Sequence, residues 1–480
     1  MVIKFGTDGW RAIMADEFTF SGVRKVAAAI ACHVNAHGGA QRGIVVGYDT
    51  RFLSDRFADA ATAVLLSNGI RVLRTVRDTP TPVVAHAVRD TGAFGAIMIT
   101  ASHNPPEYNG IKFIPEYAGP ASPEITAEIE GFLSDVEDAG VDCACDGTKA
   151  RKEAPAAIGT PNSDLQPETF DPASPYLKHM QTLIDIAAIV RAGIPLFYDA
   201  MYATGRGYLE ALFSNANLTA LHTSRDPLFG GGMPEPKEEF LSELIARVVE
   251  AKGFGMATDG DADRFGIIDT NGAYITPNQL ITLLLYYLVE YRGFKGAAAR
   301  TVATTHLIDR IAALYDLPVR ETPVGFKYIG ECMRKEQVII GGEESGGLSI
   351  LGHLPEKDGI LACALAAEMR AVVGKPLTTI LEDLAQKVGP VYSRRIDLHL
   401  DNVRKNALIE RIKTAPPANP AGLTVLDVKT IDGVKLILSR NSWVLMRPSG
   451  TEPLVRIYIE SETPELLENL IQTMKDFAAK

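Results

Sequence analysis

A stretch of small and polar residues at 100–105, reading TASHNP, directly follows the apolar run at 95–99. Such an apolar run is typical of a short buried strand, and the turn-forming residues after it mark the end of that strand. Loops at the carboxyl ends of buried strands face the crevice in which α/β sheets bind their ligands. The stretch therefore predicts an α/β domain in which Ser102 stands at a ligand-binding edge.

A second stretch supplies carboxylates in a pattern that suits a metal ion. Residues 259–264 read DGDADR, so Asp259, Asp261 and Asp263 alternate and can direct three carboxylates at one centre. All-oxygen ligands suit hard cations, and Mg²⁺ above the softer metals. An EF-hand loop is excluded because its sixth position would be Arg264 instead of glycine. A turn of solvated aspartates is the alternative interpretation.

A third stretch has the composition of a phosphate-binding loop. Residues 447–453 read RPSGTEP, and Arg456 follows closely. Guanidinium groups, hydroxyl groups and the backbone N–H groups that glycine leaves accessible all donate hydrogen bonds to phosphate oxygens. We therefore predict that Ser102 carries a phosphoryl group beside a divalent metal, and that the loop beginning at Arg447 binds a second phosphate. A plain turn is the alternative for this loop taken alone.

Smaller features add candidate groups around these loops. Glu343 and Ser345 lie in a glycine-flanked loop and offer a carboxylate and a hydroxyl that suit sugar hydroxyls, with a turn or capping role as the alternative. Lys112 lies ten residues after Ser102, so a hairpin return would bring it alongside the serine. His103 is interpreted as a base or as a structural turn residue.

Strand and helix patterns alternate along most of the chain and predict α/β domains. Short apolar runs end in polar loops near residues 102, 259 and 343, which suggests three related units whose loops meet at one cleft. From about residue 389 the pattern changes to that of a smaller α+β unit. We place the domains at 1–165, 166–272, 273–378 and 385–480, with a linker-like composition over 136–172.

Composition restricts the class of protein. The 480 residues are 46% hydrophobic and 22% charged, with a formal net charge of -11, so neither a nucleic-acid partner nor a membrane surface is expected. The amino terminus lacks a basic region followed by an apolar core, which predicts a cytoplasmic protein. Five cysteines, including Cys143 and Cys145, favour reduced thiols over a zinc site because no second metal-binding pair lies near.

Taken together, these stretches resemble the α-D-phosphohexomutase family. The chain carries that family's four signatures in order, at 100–105, 259–264, 342–346 (GEESG) and 447–453, and the FGTDGWR stretch at 5–11 resembles its amino-terminal motif. The similarity spans nearly the whole chain. It implies three related α/β domains with mixed sheets and a smaller carboxyl-terminal α+β domain around a central cleft.

The resemblance also implies a mechanism. Phosphorylated Ser102 would donate its phosphoryl group to a hexose phosphate, and the resulting bisphosphate would turn over and return its other phosphate to the serine. Mg²⁺ would be held by Asp259, Asp261, Asp263 and the Ser102 phosphate, and glucose 1,6-bisphosphate would be the activator. As a proton-transfer group, Lys112 would need a pKa lowered by nearby cations.

The implied site residues fall into two groups. Candidate catalytic residues are Ser102, Lys112, Arg264, Arg11 and His103. Candidate substrate-binding residues are Lys327, Glu343, Ser345, His353, Lys357, Arg447, Ser449, Gly450, Thr451 and Arg456.

The sugar loop favours glucose phosphates as substrate. GEESG resembles the phosphoglucomutase form of the family loop more than the glutamine-containing glucosamine form or the methionine-containing mannose form. Dual-specificity members carry a histidine directly after this loop, where Gly347 stands here. A phosphomannomutase or dual enzyme remains the alternative, followed by a non-catalytic sugar-phosphate sensor and a phosphatase. A monomer and a homodimer are both compatible with the sequence.

Overall fold

The computed structural model describes residues 3–6, 8–139, 166–449 and 454–479. The described residues form two compact units, one within 1–277 and 345–376 and the other within 278–344 and 377–480. Some of the residues named above, Cys143, Cys145, Gly450 and Thr451, lie outside the described residues, as does most of the linker-like segment.

The first unit begins with a six-stranded mixed sheet. Its elements are β1 (Trp10–Ile13), α1 (Phe20–Ala36), β2 (Ile44–Tyr48), α2 (Ser54–Ser67), β3 (Val72–Thr75), α3 (Thr81–Thr91), β4 (Gly95–Ile99), β5 (Tyr108–Pro115), α4 (Pro123–Ala139) and β6 (Glu168–Phe170). The strand order is β1-β5-β4-β2-β3-β6. The central strands β2 and β4 run parallel and are buried on both faces, as their continuous apolar sequences predict.

A second mixed sheet and its helices form most of the remainder of the first unit. Its elements are α5 (Ala173–Leu183), α6 (Ile186–Ala192), β7 (Leu196–Asp199), α7 (Tyr208–Leu212), β8 (Leu218–Leu221), α8 (Ser242–Ala251), β9 (Phe254–Thr258), β10 (Phe265–Ile268) and β11 (Tyr274–Ile275), with 3₁₀ turns at Phe229–Gly231 and Glu238–Phe240. The strand order is β11-β10-β9-β7-β8, in which β7, β8 and β9 are parallel. The hairpin between β9 and β10 carries the aspartate loop at its tip.

The chain continues through a third α/β region. Its elements are α9 (Pro277–Glu290), β12 (Ala297–Thr301), α10 (Leu307–Leu314), β13 (Val319–Thr322), α11 (Phe326–Lys335), β14 (Val338–Gly342), β15 (Leu348–Ile350), α12 (Gly359–Val373) and α13 (Leu377–Val388). In the second unit β12 pairs in parallel with both β13 and β14. Helix α12 belongs to the first unit, where it packs on α6, β9 and β10, and its apolar composition on all sides fits that burial.

The carboxyl-terminal region is an antiparallel sheet covered by helices. Its elements are β16 (Tyr392–His399), α14 (Asn402–Thr414), β17 (Val425–Lys429), β18 (Val434–Leu438), β19 (Ser442–Pro448), β20 (Leu454–Ser461) and α15 (Pro464–Ala479), with a 3₁₀ turn at Pro420–Gly422. The strand order is β16-β20-β19-β18-β17. The predicted class, three α/β domains with mixed sheets and a smaller α+β domain, is confirmed.

One predicted helix is broken in the structure. The apolar spacing predicts a single helix from Pro175 to about residue 191, but the structure has α5 and α6 with Ile184 extended between them. Asp185 causes the break, because its side chain accepts a hydrogen bond from the Ala188 N–H and caps the second helix. Periodicity alone did not reveal this cap.

Two further findings concern membranes and thiols. None of the helices in the described part of the chain combines the length and apolarity that a membrane span requires. Cys332 and Cys363 are free thiols, as expected. Cys32 is disulfide-bonded, so the expectation of reduced thiols is wrong at that position.

Candidate active site

Ser102 lies in the loop that leaves β4, with a left-handed backbone angle φ of +52°. Its N–H donates to Thr100 Oγ1 over 2.8 Å, and its Oγ donates to Asp259 Oδ2 over 2.9 Å. The residue is only 1% exposed. The serine hydroxyl is therefore buried and directed at the aspartate loop.

Arg51 holds the shape of the Ser102 loop. It is fully buried, and its guanidinium pairs with Asp49 through Nε over 3.1 Å. It donates four further hydrogen bonds, over 2.6 to 3.0 Å, to the backbone carbonyls of Ser102, Asn104, Pro105 and Tyr108. Five donors in a rigid fork allow one side chain to bind so many carbonyls. Sequence reasoning missed this role, although Arg51 lies in the polar loop that follows β2.

The three aspartates converge as predicted. Asp259, Asp261 and Asp263 are all 0% exposed, and one carboxylate oxygen of each lies within 4.8 Å of the others. Gly260 lets this loop approach the serine loop, because a Cβ there would lie 2.3 Å from Ser102 O. The two loops are therefore in backbone contact, and the aspartates stand directly beside the serine hydroxyl.

The aspartate trio fits a hard divalent cation. Asp261 Oδ1 and Asp263 Oδ1 are buried and have no hydrogen-bond partner. Buried carboxylate oxygens without partners are costly unless a cation binds them. Burial and the neighbouring carboxylates Asp263 and Asp261 hold the pKa of Asp259 well above its ordinary value, which is the electrostatic strain that a bound Mg²⁺ would relieve.

Thr81 orients one of the metal-loop carboxylates. Its Oγ1 donates to Asp261 Oδ2 over 2.6 Å, and its N–H donates to the Asp261 carbonyl over 2.9 Å. Thr81 opens α3, so the amino end of that helix faces the aspartate loop. Sequence reasoning missed this contact, which joins residues 180 positions apart.

Two lysines place ammonium groups among the same carboxylates. Lys112 Nζ lies 2.9 Å from Asp261 Oδ2 and 3.2 Å from Asp263 Oδ2. Lys357 Nζ lies 2.9 Å from Asp263 Oδ2. Asp8 Oδ2 joins the two lysines, at 2.9 Å from Lys112 Nζ and 3.2 Å from Lys357 Nζ. The predicted hairpin return is confirmed, because β5 pairs antiparallel with β4 and brings Lys112 opposite Met98.

The surroundings of Lys112 favour its charged form. Burial by itself lowers the pKa of Lys112, but the carboxylates of Asp261, Asp8 and Asp263 outweigh burial and hold this pKa well above its ordinary value. The neighbours of the ammonium are mostly anions, whereas a role in proton transfer would need nearby cations to lower this pKa. Lys112 is therefore a fixed positive charge beside the aspartate trio.

Three other candidate residues lie around the serine loop. His103 Nδ1 is 3.4 Å from Ser102 Oγ, and burial followed by nearby cations lowers the pKa of His103 well below its ordinary value. Arg11 Nη1 donates to Asn104 Oδ1 over 3.0 Å. The N–H of Arg264 donates to Asp259 Oδ1 over 3.1 Å. All three are thus in the first unit with the serine and the aspartates.

The second half of the sugar loop also belongs to the first unit. After Ser345, a Cβ at Gly346 would lie 3.7 Å from Arg264 Cβ. A Cβ at Gly347 would lie 2.5 Å from Lys357 Cδ, so the lysine stem occupies the space of any side chain at position 347. This close approach requires glycine there as long as Lys357 keeps its place beside Asp263.

The second unit holds the remaining candidates. Glu343 directly follows β14, is 7% exposed, and accepts a hydrogen bond from the Gly325 N–H over 2.9 Å. Lys327 lies in the first turn of α11, with Nζ 5.4 Å from the Tyr328 ring centroid. Glu343 and the α11 terminus are therefore joined at the carboxyl end of β14.

Two arginines that flank the phosphate loop lie opposite each other on adjacent strands of the carboxyl-terminal sheet. Arg447 on β19 is the cross-strand partner of Arg456 on β20. Asp432 Oδ2 accepts from Arg447 Nε over 2.7 Å and from the Val324 N–H over 3.0 Å. Ser449 follows β19, and its N–H donates to the Leu454 carbonyl. Two guanidinium groups on adjacent strands can donate to one phosphate together, so this pair suits a phosphate.

His353 is held inside the protein. Its side chain is 0% exposed, with Nε2 2.9 Å from Asp358 Oδ2 and Nδ1 3.0 Å from His179 Nε2. The His179 ring in turn stands 5.1 Å from that of His86. Both ring nitrogens of His353 thus have protein partners, which orients Asp358 at the start of α12.

The histidine stack predicts a loss of stability in acid. Burial, with neighbouring cationic groups, lowers the pKa of both His86 and His179 from 6.5 to about 4. Between these values the unfolded chain binds more protons than the folded one, so stability falls as the pH drops from 6.5 to about 4. His86→Phe should reduce the difference in melting temperature between about pH 7 and about pH 5, whereas His399→Phe, at an exposed position, should not. Equal differences in all three proteins would contradict this assignment.

Comparison with known proteins agrees with the motifs. The descriptions of phosphoglucomutase/phosphomannomutase α/β/α domains I, II and III match residues 2–139, 174–272 and 276–388, and that of the family's C-terminal domain matches 400–477. A phosphoglucomutase/phosphomannomutase of Thermococcus kodakarensis is 31% identical over 96% of this chain and 95% of its own length. A phosphoglucosamine mutase of Moorella thermoacetica is 29% identical over 99% of both chains.

A solved structure resembles the whole chain. It is a Thermus thermophilus protein, provisionally named a phosphomannomutase, with 34% identity and a TM-score of 0.84 over 100% of both chains. The names of these relatives include glucose, mannose and glucosamine phosphates, so they agree on the reaction class and differ in the sugar. The chain belongs to the phosphoglucomutase/phosphomannomutase family of α-D-phosphohexomutases, isomerases that transfer a phosphoryl group within a hexose phosphate.

Proposed function

We propose that the protein is a phosphoglucomutase that interconverts glucose 1-phosphate and glucose 6-phosphate through phosphorylated Ser102 and a glucose 1,6-bisphosphate intermediate. The observation that carries the proposal is the placement of Ser102 Oγ 2.9 Å from Asp259, within a buried trio of aspartates in which two oxygens have no hydrogen-bond partner. A nucleophile beside a cation site is the arrangement that phosphoryl transfer through a covalent intermediate requires.

The proposed reaction has two balanced transfers. In the first, the bond between phosphorus and Ser102 Oγ breaks and a bond forms to the free hydroxyl oxygen of the sugar monophosphate, while the hydroxyl proton passes in net to Ser102 Oγ. In the second, the bisphosphate presents its other phosphate, whose bond to the sugar breaks as Ser102 Oγ is phosphorylated again. The proton then returns to the sugar oxygen, so the enzyme ends as it began.

The residues around the serine would stabilise the charge of the transferred group. When bound by Asp259, Asp261 and Asp263, Mg²⁺ would neutralise negative charge on the phosphoryl oxygens. Lys112 supplies a further fixed positive charge beside the trio. The Arg51 scaffold keeps the serine in its left-handed conformation, so little reorganisation is needed when charge develops.

The opposed arginines of the second unit would bind the phosphate that is not being transferred. We expect Arg447→Ala to raise KM for glucose 1-phosphate by about 10- to 100-fold, because a charge-assisted hydrogen bond contributes about 1.5–3 kcal/mol. Steady-state kinetics would measure the change. Arg440→Ala, at a surface arginine paired with Glu462, is the matched control and should leave KM unchanged. An unchanged KM in Arg447→Ala would remove the arginine from the site.

The sugar loop supports glucose over its epimer and its amino analogue. Glu343 and Ser345 offer the carboxylate and hydroxyl of the GEESG sequence, which resembles the phosphoglucomutase form. The stem of Lys357 fills the space beside Gly347, where dual-specificity members carry histidine. Mannose and glucosamine phosphates remain the alternative substrates, because one sugar substituent changes selectivity by only about 1–3 kcal/mol.

A comparison of three substrates tests the proposal. Glucose, mannose and glucosamine 1-phosphates are each supplied with the matching bisphosphate and Mg²⁺, and the 6-phosphate products are measured. We expect kcat/KM to be highest for glucose 1-phosphate, by about 5- to 150-fold. A higher value for another sugar would change the assigned substrate but retain the mutase. Release of inorganic phosphate without a 6-phosphate product would instead indicate a phosphatase.

A further inference from the structure

A second cluster of potential metal ligands lies between the helices α1 and α4. His33 and His37 stand four residues apart at the end of α1, and Glu128 projects from α4. Glu128 Oε2 is 3.0 Å from His33 Nδ1, and Glu128 Oε1 is 3.0 Å from His37 Nε2. One potential ligand atom of each residue lies within 4.8 Å of the other two. No residue of this cluster is used by the mutase site.

The spacing of the two histidines is that of a helical metal site. Residues four apart lie on one face of a helix, so both imidazoles point toward the neighbouring helix. Tetrahedral zinc has bonds of about 2.0–2.1 Å, which sets its ligand atoms about 3.3 Å apart. The observed separations of 3.0 Å between the histidine nitrogens and the carboxylate are close to that value. A small outward movement of the Glu128 carboxylate would admit an ion.

The surroundings favour ligation in two ways. The His33 ring is held by Phe113 and Phe94, whose ring centroids lie 5.5 Å and 5.9 Å from its own. A ring fixed in this way keeps its ligand orientation without an ion. The His33 side chain is also only 5% exposed, so the protein shields its imidazole from bulk water.

The outer side of the cluster is open to solvent. The side chains of His37 and Glu128 are 49% and 36% exposed, whereas that of His33 is 5% exposed. An ion can therefore enter from the surface and keep a water molecule as its remaining ligand. Two imidazoles and one carboxylate match the ligand preference of zinc and of neighbouring transition metals, and differ from the all-oxygen trio that suits Mg²⁺.

We propose that His33, His37 and Glu128 bind one divalent transition-metal ion of the zinc class, with water at the open position. The ion joins α1 to α4 in the amino-terminal α/β domain. Because it binds the folded chain and lacks a preformed site in the unfolded one, it stabilises that domain increasingly as the free ion concentration rises above the dissociation constant. This role does not depend on which sugar phosphate the enzyme converts.

Cobalt is the probe that distinguishes this site from the aspartate trio. The full-length protein is freed of transition metals by a chelator and kept in excess Mg²⁺, so that the oxygen site is occupied. Titration with Co²⁺ is expected to give the intense visible d–d bands of a four- or five-coordinate ion, saturating at one equivalent. Zn²⁺ should abolish these bands and should raise the melting temperature.

Variants of the exposed ligands decide the proposal. His37→Gln and Glu128→Gln are each expected to weaken Co²⁺ binding by at least about 10-fold and to remove most of the zinc-dependent rise in melting temperature. His399→Gln, at an exposed histidine of β16, is the matched control and should bind as the wild type does. Circular dichroism confirms that each variant is folded. The proposal is overturned if Co²⁺ shows only weak octahedral bands, or if both ligand variants bind it with wild-type affinity.

Discussion

Ser102→Ala is expected to lower kcat by at least about 10⁴-fold, since removal of a covalent nucleophile has effects of this size or larger. Without Oγ there is no atom to hold the phosphoryl group between the two transfers. The fold should survive, because the substitution removes one hydrogen bond to Asp259, worth about 0.5–1.5 kcal/mol, and adds no bulk. The measurement is conversion of glucose 1-phosphate to glucose 6-phosphate, with circular dichroism as the check on folding.

Ser67→Ala provides the matched control, because Ser67 is an exposed serine whose hydroxyl bonds only a backbone carbonyl in its own helix. Intact-protein mass spectrometry after incubation with glucose 1,6-bisphosphate should show one phosphoryl group on the wild type and on Ser67→Ala. The same treatment should leave Ser102→Ala unmodified. Wild-type turnover by Ser102→Ala, or a transferable phosphoryl group on it, would defeat the nucleophile assignment.

Much of the fold could be predicted because each buried element is a continuous apolar stretch of sequence. The run that forms β4 was bounded correctly from its residues, since turn-forming residues directly follow it. The prediction failed at Asp185, where one side-chain hydrogen bond outweighs the apolar periodicity across it. The proposed domain boundaries, including that at residue 165, stay predictions.

The sequence predicted which loops form the site, but not the ion pairs that join their side chains. Motif spacing predicted that Ser102 meets the aspartates, and Oγ bonds Asp259 across 157 residues of sequence. It did not predict that Asp8 joins Lys112 to Lys357. Long-range ion partners depend on tertiary packing, to which a charged residue's sequence neighbours give no guide. The sequence likewise did not show that the neighbours of Lys112 are mostly carboxylates, which raise its pKa.

Arg51 was missed for a related reason, and its removal is expected to have the largest effect on stability. Arg51→Ala should lower the apparent free energy of unfolding of the first unit by about 3–5 kcal/mol, the usual cost of leaving one member of a buried ion pair alone. Asp49 would keep a fully buried carboxylate without its guanidinium, and four carbonyls of the serine loop would lose their donor. Urea unfolding followed by fluorescence would measure the loss.

The pH dependence of this loss separates a buried charge from simple loss of packing. Burial already raises the pKa of Asp49 in the presence of Arg51, and removal of the Arg51 guanidinium should raise that pKa further. Above the ordinary pKa of an aspartate the folded variant then binds more protons than its unfolded chain, so its stability falls as the pH rises. The deficit of Arg51→Ala should therefore be larger at about pH 8 than at about pH 5.

Arg51→Lys keeps a charge but has only three donors, so it should retain much of the stability and still lower kcat by loosening the loop around Ser102. A deficit of equal size at both pH values, or full activity in Arg51→Ala, would show that the guanidinium is not what shapes the loop.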